Sequence, residues 1–145
     1  MKEPIHFIRQ KIFTLLNGNV SYGGSNVPVY NRVPSNQDEP YIIITSVETA
    51  GVDLNQTDFN YECITRIEVV TSFLSDSGGE LQVNSIVNSI LGIIKTSTTD
   101  FFDLTSQNFN VYTSTLNGVN YSQDDDEEKT YFRAIIDIAN RVQQN

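Results

Sequence analysis

A run of five acidic residues, Asp124 to Glu128, is the part of this chain whose residue types could most readily do chemistry. Adjacent carboxylates can bind Ca²⁺, but an EF-hand loop needs acids at alternating positions, a Gly at the sixth position and a Glu at the twelfth. This run lacks that Gly and leads directly into an apolar segment. The pattern therefore excludes an EF-hand, while opportunistic binding of a divalent ion and a solvated connection extended by charge repulsion both stay open.

Histidine and cysteine offer little material for a catalytic or metal-binding set. The chain has one histidine, His6, and one cysteine, Cys63, whereas the usual zinc sites and serine nucleophiles need partners of these types. Cys63 lies in an apolar, strand-like pattern and is predicted to be a small buried side chain. The glycine pairs at 23–24 and 78–79 lack the spacing of dinucleotide- or phosphate-binding loops. We therefore expect no enzyme activity, no bound metal and no cofactor.

The charge balance of the chain is acidic. Asp and Glu number 18 against 9 Lys and Arg, which gives a formal net charge of −9. A chain of this charge is expected to repel a nucleic-acid backbone rather than bind it. No stretch approaches the roughly 20 apolar residues of a membrane span, and Glu3 and Pro4 stand where a signal peptide would begin its apolar core. The expectation is a protein that is neither secreted nor membrane-bound.

Two segments have the apolar periodicity of helices. Near the N-terminus the periodic residues follow three- and four-residue steps; they are Ile5, Ile8, Ile12, Leu15 and Leu16. The second segment, 75–96, has an i, i+3, i+4, i+7 apolar face, and Ser77 with Glu80 predicts a capping box at its start. Its other face carries Asn and Ser with almost no charge, which fits either a solvated face or a contact with a partner.

Four segments have the patterns of strands. Residues 41–49 are nearly continuously apolar and β-branched, residues 61–74 alternate, and two strands follow between 109 and 142. Asn117–Gly118 predicts the turn between the last two strands, although the acidic run is a second place where the chain could reverse. The order helix, β, β, helix, β, β predicts an α+β fold: a mainly antiparallel sheet with two helices packed on one face.

The sequence contains neither an internal repeat nor a domain linker. A chain of 145 residues is most simply one domain, so we expect a single domain over residues 1–145. Two polar segments, at about 50–60 and 117–130, are expected to project from it as loops.

Several short motifs occur in a fixed order along this chain. The first helix is followed by VPVYNRVP, then by EPYIIIT, then by a long strand containing IEVVTS. This succession resembles the small tail-completion and tail-terminator proteins of long-tailed bacteriophages, in which a VY precedes a proline-rich loop and a PYI or PYV opens a strand. The corresponding residues are Val29–Tyr30 and Pro40–Ile42. The polar excursion 50–60 and the acidic run are both longer than expected for a member of that family.

The resemblance implies a structural virion protein that forms a ring, most often of six subunits, at the head-proximal end of a tail tube. Such a ring caps the tube and joins it to the head connector, so its partners are the tail tube protein and head-connector proteins. DNA passes through its lumen without specific binding. The expected location is the tail or neck of the virion, after assembly in the host cytoplasm. A neck or head-completion ring is one alternative, and a small acidic binding module is an alternative from a different class.

In a ring of this kind the function lies in surfaces rather than in an active site. The acidic run is expected at one face or at the lumen, where it would repel DNA or meet a basic patch, and changing all five residues to Asn is expected to leave folding intact. The excursion 50–60 is expected to be a second contact loop. Sheet edges and charged strand residues of both signs are expected at the lateral interface. The residues assigned to these surfaces are Asp124, Asp125, Asp126, Glu127, Glu128, Asp53, Asp58, Arg66, Glu68, Arg133 and Asp137.

Overall fold

Two helices and a five-stranded sheet form most of the structure, a computed structural model that describes residues 1–52 and 58–145. The helices are α1 (Ile5–Leu16) and α2 (Leu81–Ile94). The strands are β1 (Ser21–Tyr22), β2 (Ser25–Asn26), β3 (Val29–Tyr30), β4 (Tyr41–Gly51), β5 (Phe59–Leu74), β6 (Phe109–Asp125) and β7 (Lys129–Gln144).

The main sheet has the spatial order β3-β4-β5-β7-β6, and β1 and β2 form a small separate hairpin. All pairs of the main sheet are antiparallel except β3 with β4, which are parallel over two residues only. The register sets Ile44, Ile67, Ile136 and Val119 in one row across the sheet. Both β4–β5 and β6–β7 are therefore hairpins, which is the connection that short loops between antiparallel strands allow.

One face of the sheet is buried beneath both helices. Alternate residues of β5, including Cys63, Ile67 and Val69, are fully buried, as the period of two in the sequence predicts. The buried helix residues recur at helical spacing; they are Ile5, Ile8, Ile12 and Leu16 of α1, and Val83, Ile86, Val87, Ile90 and Ile94 of α2. Each fully buried aliphatic side chain contributes about 1.5–3 kcal/mol to folding. The predicted α+β fold class is confirmed.

The turn of the last hairpin differs from the prediction at Asn117–Gly118. β6 continues through these residues, with an irregularity in register between Leu116 and Gly118, and the chain reverses at Asp126–Glu128 instead. The backbone N–H groups of Glu128 and Lys129 donate to Asp126 Oδ1, at 2.8 and 2.6 Å. An Asp that accepts bonds from the backbone two residues on is a turn former, so most of the predicted loop 117–130 is strand.

The start of α2 also differs from the prediction. The Ser77 hydroxyl donates to the carbonyl of Leu74 rather than capping the helix, and Glu80 occupies the N-cap position without a side-chain bond. The capping box is therefore wrong, because Ser77 serves the turn that ends β5. In α1, Leu15 is 37% exposed; the buried stripe steps from Ile12 to Leu16.

Candidate interaction surfaces

The acidic run forms the tip of the β6–β7 hairpin. Asp124 and Asp125 end β6, Asp126 to Glu128 make the turn, and all five residues are exposed. Hydrogen bonds from the backbone N–H groups of Lys129 and Glu128 lower the pKa of Asp126 below its ordinary value of 3.8. The tip is therefore an ordered, negatively charged turn rather than an extended tail.

The loop between β5 and α2 lies beside this tip and adds to its negative charge. The backbone N–H of Ser75 donates to the carbonyl of Glu128, and that of Asp76 donates to the Thr130 hydroxyl. Asp76, Glu80 and Asp125 all line the cleft between loop and hairpin. Nevertheless, within residues 1–52 and 58–145 no group of three or more His, Cys, Asp or Glu side chains is placed to hold a metal ion. This end of the molecule thus gathers carboxylates without arranging them as metal ligands.

The face of the sheet opposite the helices, here called the outer face, brings together the four charged strand residues predicted for lateral contacts. Arg66 bonds Asp137 through both carboxylate oxygens, with Nε–Oδ1 at 2.9 Å and Nη2–Oδ2 at 3.2 Å. Arg133 lies 3.4 Å from Glu68 and also 3.4 Å from Asp124. These residues form cross-strand pairs within one chain, and their part in contacts between chains stays a prediction.

Sequence reasoning missed a further ion pair on the outer face, between Glu39 and Lys129. The Lys129 ammonium lies 3.2 Å from Glu39 Oε2, and the Ser72 hydroxyl donates to the same oxygen. Glu39 belongs to the loop before β4 and Lys129 to the start of β7, 90 residues apart. The sequence has no periodic signal that links such a loop residue to a strand, so only the folded register could reveal the pair.

Two candidate residues come from the predicted loop 50–60, whose two ends, 50–51 and 59–60, belong to β4 and β5. Asp58 directly precedes β5 at the boundary of the described residues, whereas Asp53 lies outside the residues that the structure describes. Cys63 is fully buried, as predicted, and burial raises the pKa of its thiol to about 12. His6 is exposed on α1 against the ring of Phe7. Cys63 on the inner face of the sheet and His6 on α1 thus lie apart from the acidic hairpin tip and the outer-face pairs.

The two edges of the main sheet are the other place where lateral contacts between subunits were expected. At one edge, β6 is hydrogen-bonded to β7 and has no other strand beside it in the described part of the chain. At the other edge, β3 covers only Ile42 and Ile43 of β4, and the residues from Ser46 to Glu48 are exposed. Backbone N–H and C=O groups along such edges are available to another chain.

Comparison with known proteins gives no relative from which a role could be taken: no family model matches the chain, and no curated protein matches it. Among the helices of the described residues, none is both long and apolar enough to cross a membrane.

Proposed function

We propose that this protein is a structural virion protein that forms a ring at the head-proximal end of a phage tail. The ring caps the tail tube and joins it to the head connector. Support comes from the order of motifs that resembles the tail-terminator family and from a fold whose element order matches that resemblance. The proposed partners are further copies of this chain, the tail tube protein and head-connector proteins.

The long β6–β7 hairpin is the observation that carries this proposal. Its strands have 17 and 16 residues, whereas strands of globular proteins usually have 3–10. The residues of the last part of β6 are mostly exposed, and no other strand of the described residues pairs with its outer edge. A long uncovered strand edge makes a monomer prone to aggregate, but in an assembly subunit it can pair with a strand of a neighbouring chain.

The charge distribution supports passage of DNA through the proposed ring. The net charge is −9, and three basic residues of the outer face, Arg66, Lys129 and Arg133, are paired with carboxylates. A surface of this kind offers a phosphate backbone few free cations, so DNA would not bind to it. This supports a channel function and argues against a nucleic-acid-binding protein.

Native mass spectrometry across a concentration series, with and without Ca²⁺, tests the proposal. We expect a closed oligomer, with six subunits favoured, whose formation does not depend on Ca²⁺. A monomer whose melting temperature rises with Ca²⁺ would instead indicate a small acidic binding module. A monomer that also fails to bind tail tubes or connectors would refute the ring.

Binding to purified phage parts separates the terminator from a neck or head-completion ring. A terminator added to growing tail tubes is expected to stop their elongation and to be seen at one end by electron microscopy. A neck ring is expected to bind connector-bearing heads and leave elongation unchanged. The variants with altered acidic tips described below provide matched controls in both assays.

A further inference from the structure

The second half of β6 is a regular and unprotected strand edge. From Gly118 to Asp125 its pairing with β7 is continuous, and both register irregularities lie earlier, between Val111 and Thr113 and between Leu116 and Gly118. Proteins commonly protect edges with Lys or Pro, but β6 contains no Lys, Arg or Pro. Tyr121 in this stretch is 46% exposed. The stretch can therefore accept another strand.

The opposite edge of the sheet is open beyond the short cover that β3 provides. Val47 of β4 is 46% exposed, and side chains instead of a strand contact this edge. The Asn31 amide donates to the carbonyl of Ile44 at 2.8 Å, and the Arg9 guanidinium donates to the Ser46 hydroxyl at 2.8 Å. A strand that approached β4 here would find the Ile44 carbonyl occupied and the backbone groups beyond it open, with an irregularity in register between Ser46 and Glu48.

The parts of the two edges that would meet carry opposite charge. Arg9 forms no ion pair with the described residues, and neither does Arg32, which follows β3 and is exposed. The β6 edge ends in Asp125 and the exposed turn of the acidic run. Complementary charge of this kind steers association and fixes which surfaces meet. Glu48, the exposed carboxylate of β4, lies farther along the strand, away from the point that Asp125 would reach.

The directions of the two edge strands also allow antiparallel pairing between neighbouring copies. Three antiparallel steps separate β4 from β6, so the two edge strands run in opposite directions within one sheet. A second copy in the same orientation would therefore place its β4 antiparallel to β6 of the first. Contact between two unlike surfaces is heterologous, and a rotation that closes it generates a ring.

We propose that neighbouring copies of this chain join their sheets head to tail, with Gly118–Gln123 of one copy pairing antiparallel with Ser46–Gly51 of the next. This register brings Asp125 level with Ile44, whose carbonyl Asn31 already occupies, and sets the acidic tip beside Arg9 and Arg32. Within one chain Ile44 is level with Val119, so this register needs a stagger of roughly 20 Å along the strands. Strand tilt in closed sheets supplies such stagger. Closure of these contacts into a circle rests on the proposed ring, whereas the pairing of the two edges can be tested whether or not a ring forms.

Charge exchange between two variants tests the pairing. One variant carries Asp125→Lys and Glu127→Lys, and the other carries Arg9→Glu and Arg32→Glu. In the first variant the two introduced lysines face the arginines of the β4 edge, and in the second variant two glutamates face the acidic tip. We therefore expect each variant alone to lose its oligomer in analytical ultracentrifugation, measured free and with purified tail tubes. An equimolar mixture restores opposite charges at every contact, so we expect oligomers that contain both variants in equal number. Circular dichroism of each variant checks that it is folded.

Cysteine crosslinking tests the register independently of charge. In a Cys63→Ala background, a chain with Ser46→Cys mixed with a chain with Gln123→Cys is expected to form a mixed disulfide. Thr115→Cys, an exposed residue of the irregular half of β6, is the matched control and is expected not to crosslink to Ser46→Cys.

The outcomes separate this pairing from the proposed function. A closed wild-type oligomer that neither charge variant disrupts, and that gives no mixed disulfide, would overturn the pairing and leave the ring. Open filaments that obey the charge exchange would support the pairing and refute the ring. Crosslinks only between two copies of Gln123→Cys would show a symmetric β6–β6 contact and overturn the head-to-tail arrangement. A wild type that stays monomeric at every concentration and on tail tubes would overturn both.

Discussion

Gly78 fixes the loop that lies beside the acidic tip, and Gly78→Ala tests how strongly it does so. Gly78 has φ of +91°, a conformation that costs an L-residue about 1–2 kcal/mol. An added Cβ would also overlap the ring of Phe73. That ring is only partly buried and can move away, but it then loses its edge-on contact with Phe132, whose centroid lies 5.8 Å away.

The expected loss of stability follows from these two effects. The aromatic contact is worth about 0.5–1.5 kcal/mol, so Gly78→Ala is expected to lower the free energy of unfolding by roughly 1.5–3.5 kcal/mol. For a chain of this length the melting temperature should fall by roughly 5–12 °C. Differential scanning calorimetry or thermal circular dichroism measures the shift directly.

Gly79→Ala is the matched control for this prediction. Gly79 has no positive φ, and an added Cβ there would have no atom within 4 Å, so its melting temperature should change by less than about 2 °C. A Phe73→Leu background should reduce the cost of Gly78→Ala toward the backbone contribution alone, in a double-mutant cycle. Equal melting temperatures for the two alanine variants would refute the reasoning.

Three further predictions concern individual side chains. Asp137→Asn should lower the free energy of unfolding by only about 0.5–1 kcal/mol. The loss is small because its partner Arg66 is 41% exposed, so that solvent screens the ion pair. A double-mutant cycle with Arg66→Gln in urea measures the coupling between the two residues, and additive losses would contradict the prediction. The pKa of Asp126 is lowered in the folded state by donated backbone N–H groups, so its stabilising effect is present above pH 3.8 and is lost as the pH falls through the folded pKa; Asp126→Ala should flatten the dependence of melting temperature on pH between about 2 and 5, and an unchanged slope would count against it. Burial raises the pKa of the Cys63 thiol to about 12, so the native protein at pH 8 should not react with a thiol reagent until urea unfolds it, and rapid native labelling would show that Cys63 is accessible.

Patterns with a short period allowed much of the fold to be predicted from the sequence. The alternation through 61–74 predicted a strand buried on one face, and the helical spacing from Ile5 to Ile12 predicted the buried stripe of α1. Both signals arise because a regular backbone repeats its direction every two or 3.6 residues, and the core must receive the same side each time. Element type and burial therefore followed from local pattern.

Turns and long-range pairs could not be predicted in the same way. Asn117–Gly118 has the residue types of a hairpin turn, but β6 continues through these residues with an irregularity in its pairing to β7. The chain reverses later, where backbone N–H groups donate to Asp126. The sequence identified Arg66 and Asp137 as charged strand residues, but their pairing depends on a register between strands 71 residues apart. Interactions of that kind are set by the packing of whole elements and have no local signal.

The acidic run contains more negative charge than its turn requires. Asp126 alone accepts the turn's backbone bonds, and Asn can accept the same bonds through its amide oxygen. Replacing Asp124 to Glu128 with Asn should therefore preserve the hairpin and the fold, because the charge that is lost belongs to exposed side chains. We expect an unchanged circular dichroism spectrum together with weaker assembly, since the β6 edge would no longer complement Arg9 and Arg32. Asp126→Ala is the structural control, because it removes the turn's acceptor but leaves the other four charges. An Asn variant that unfolded would show that the charges are structural, and one that assembled like the wild type would show that they do not guide association.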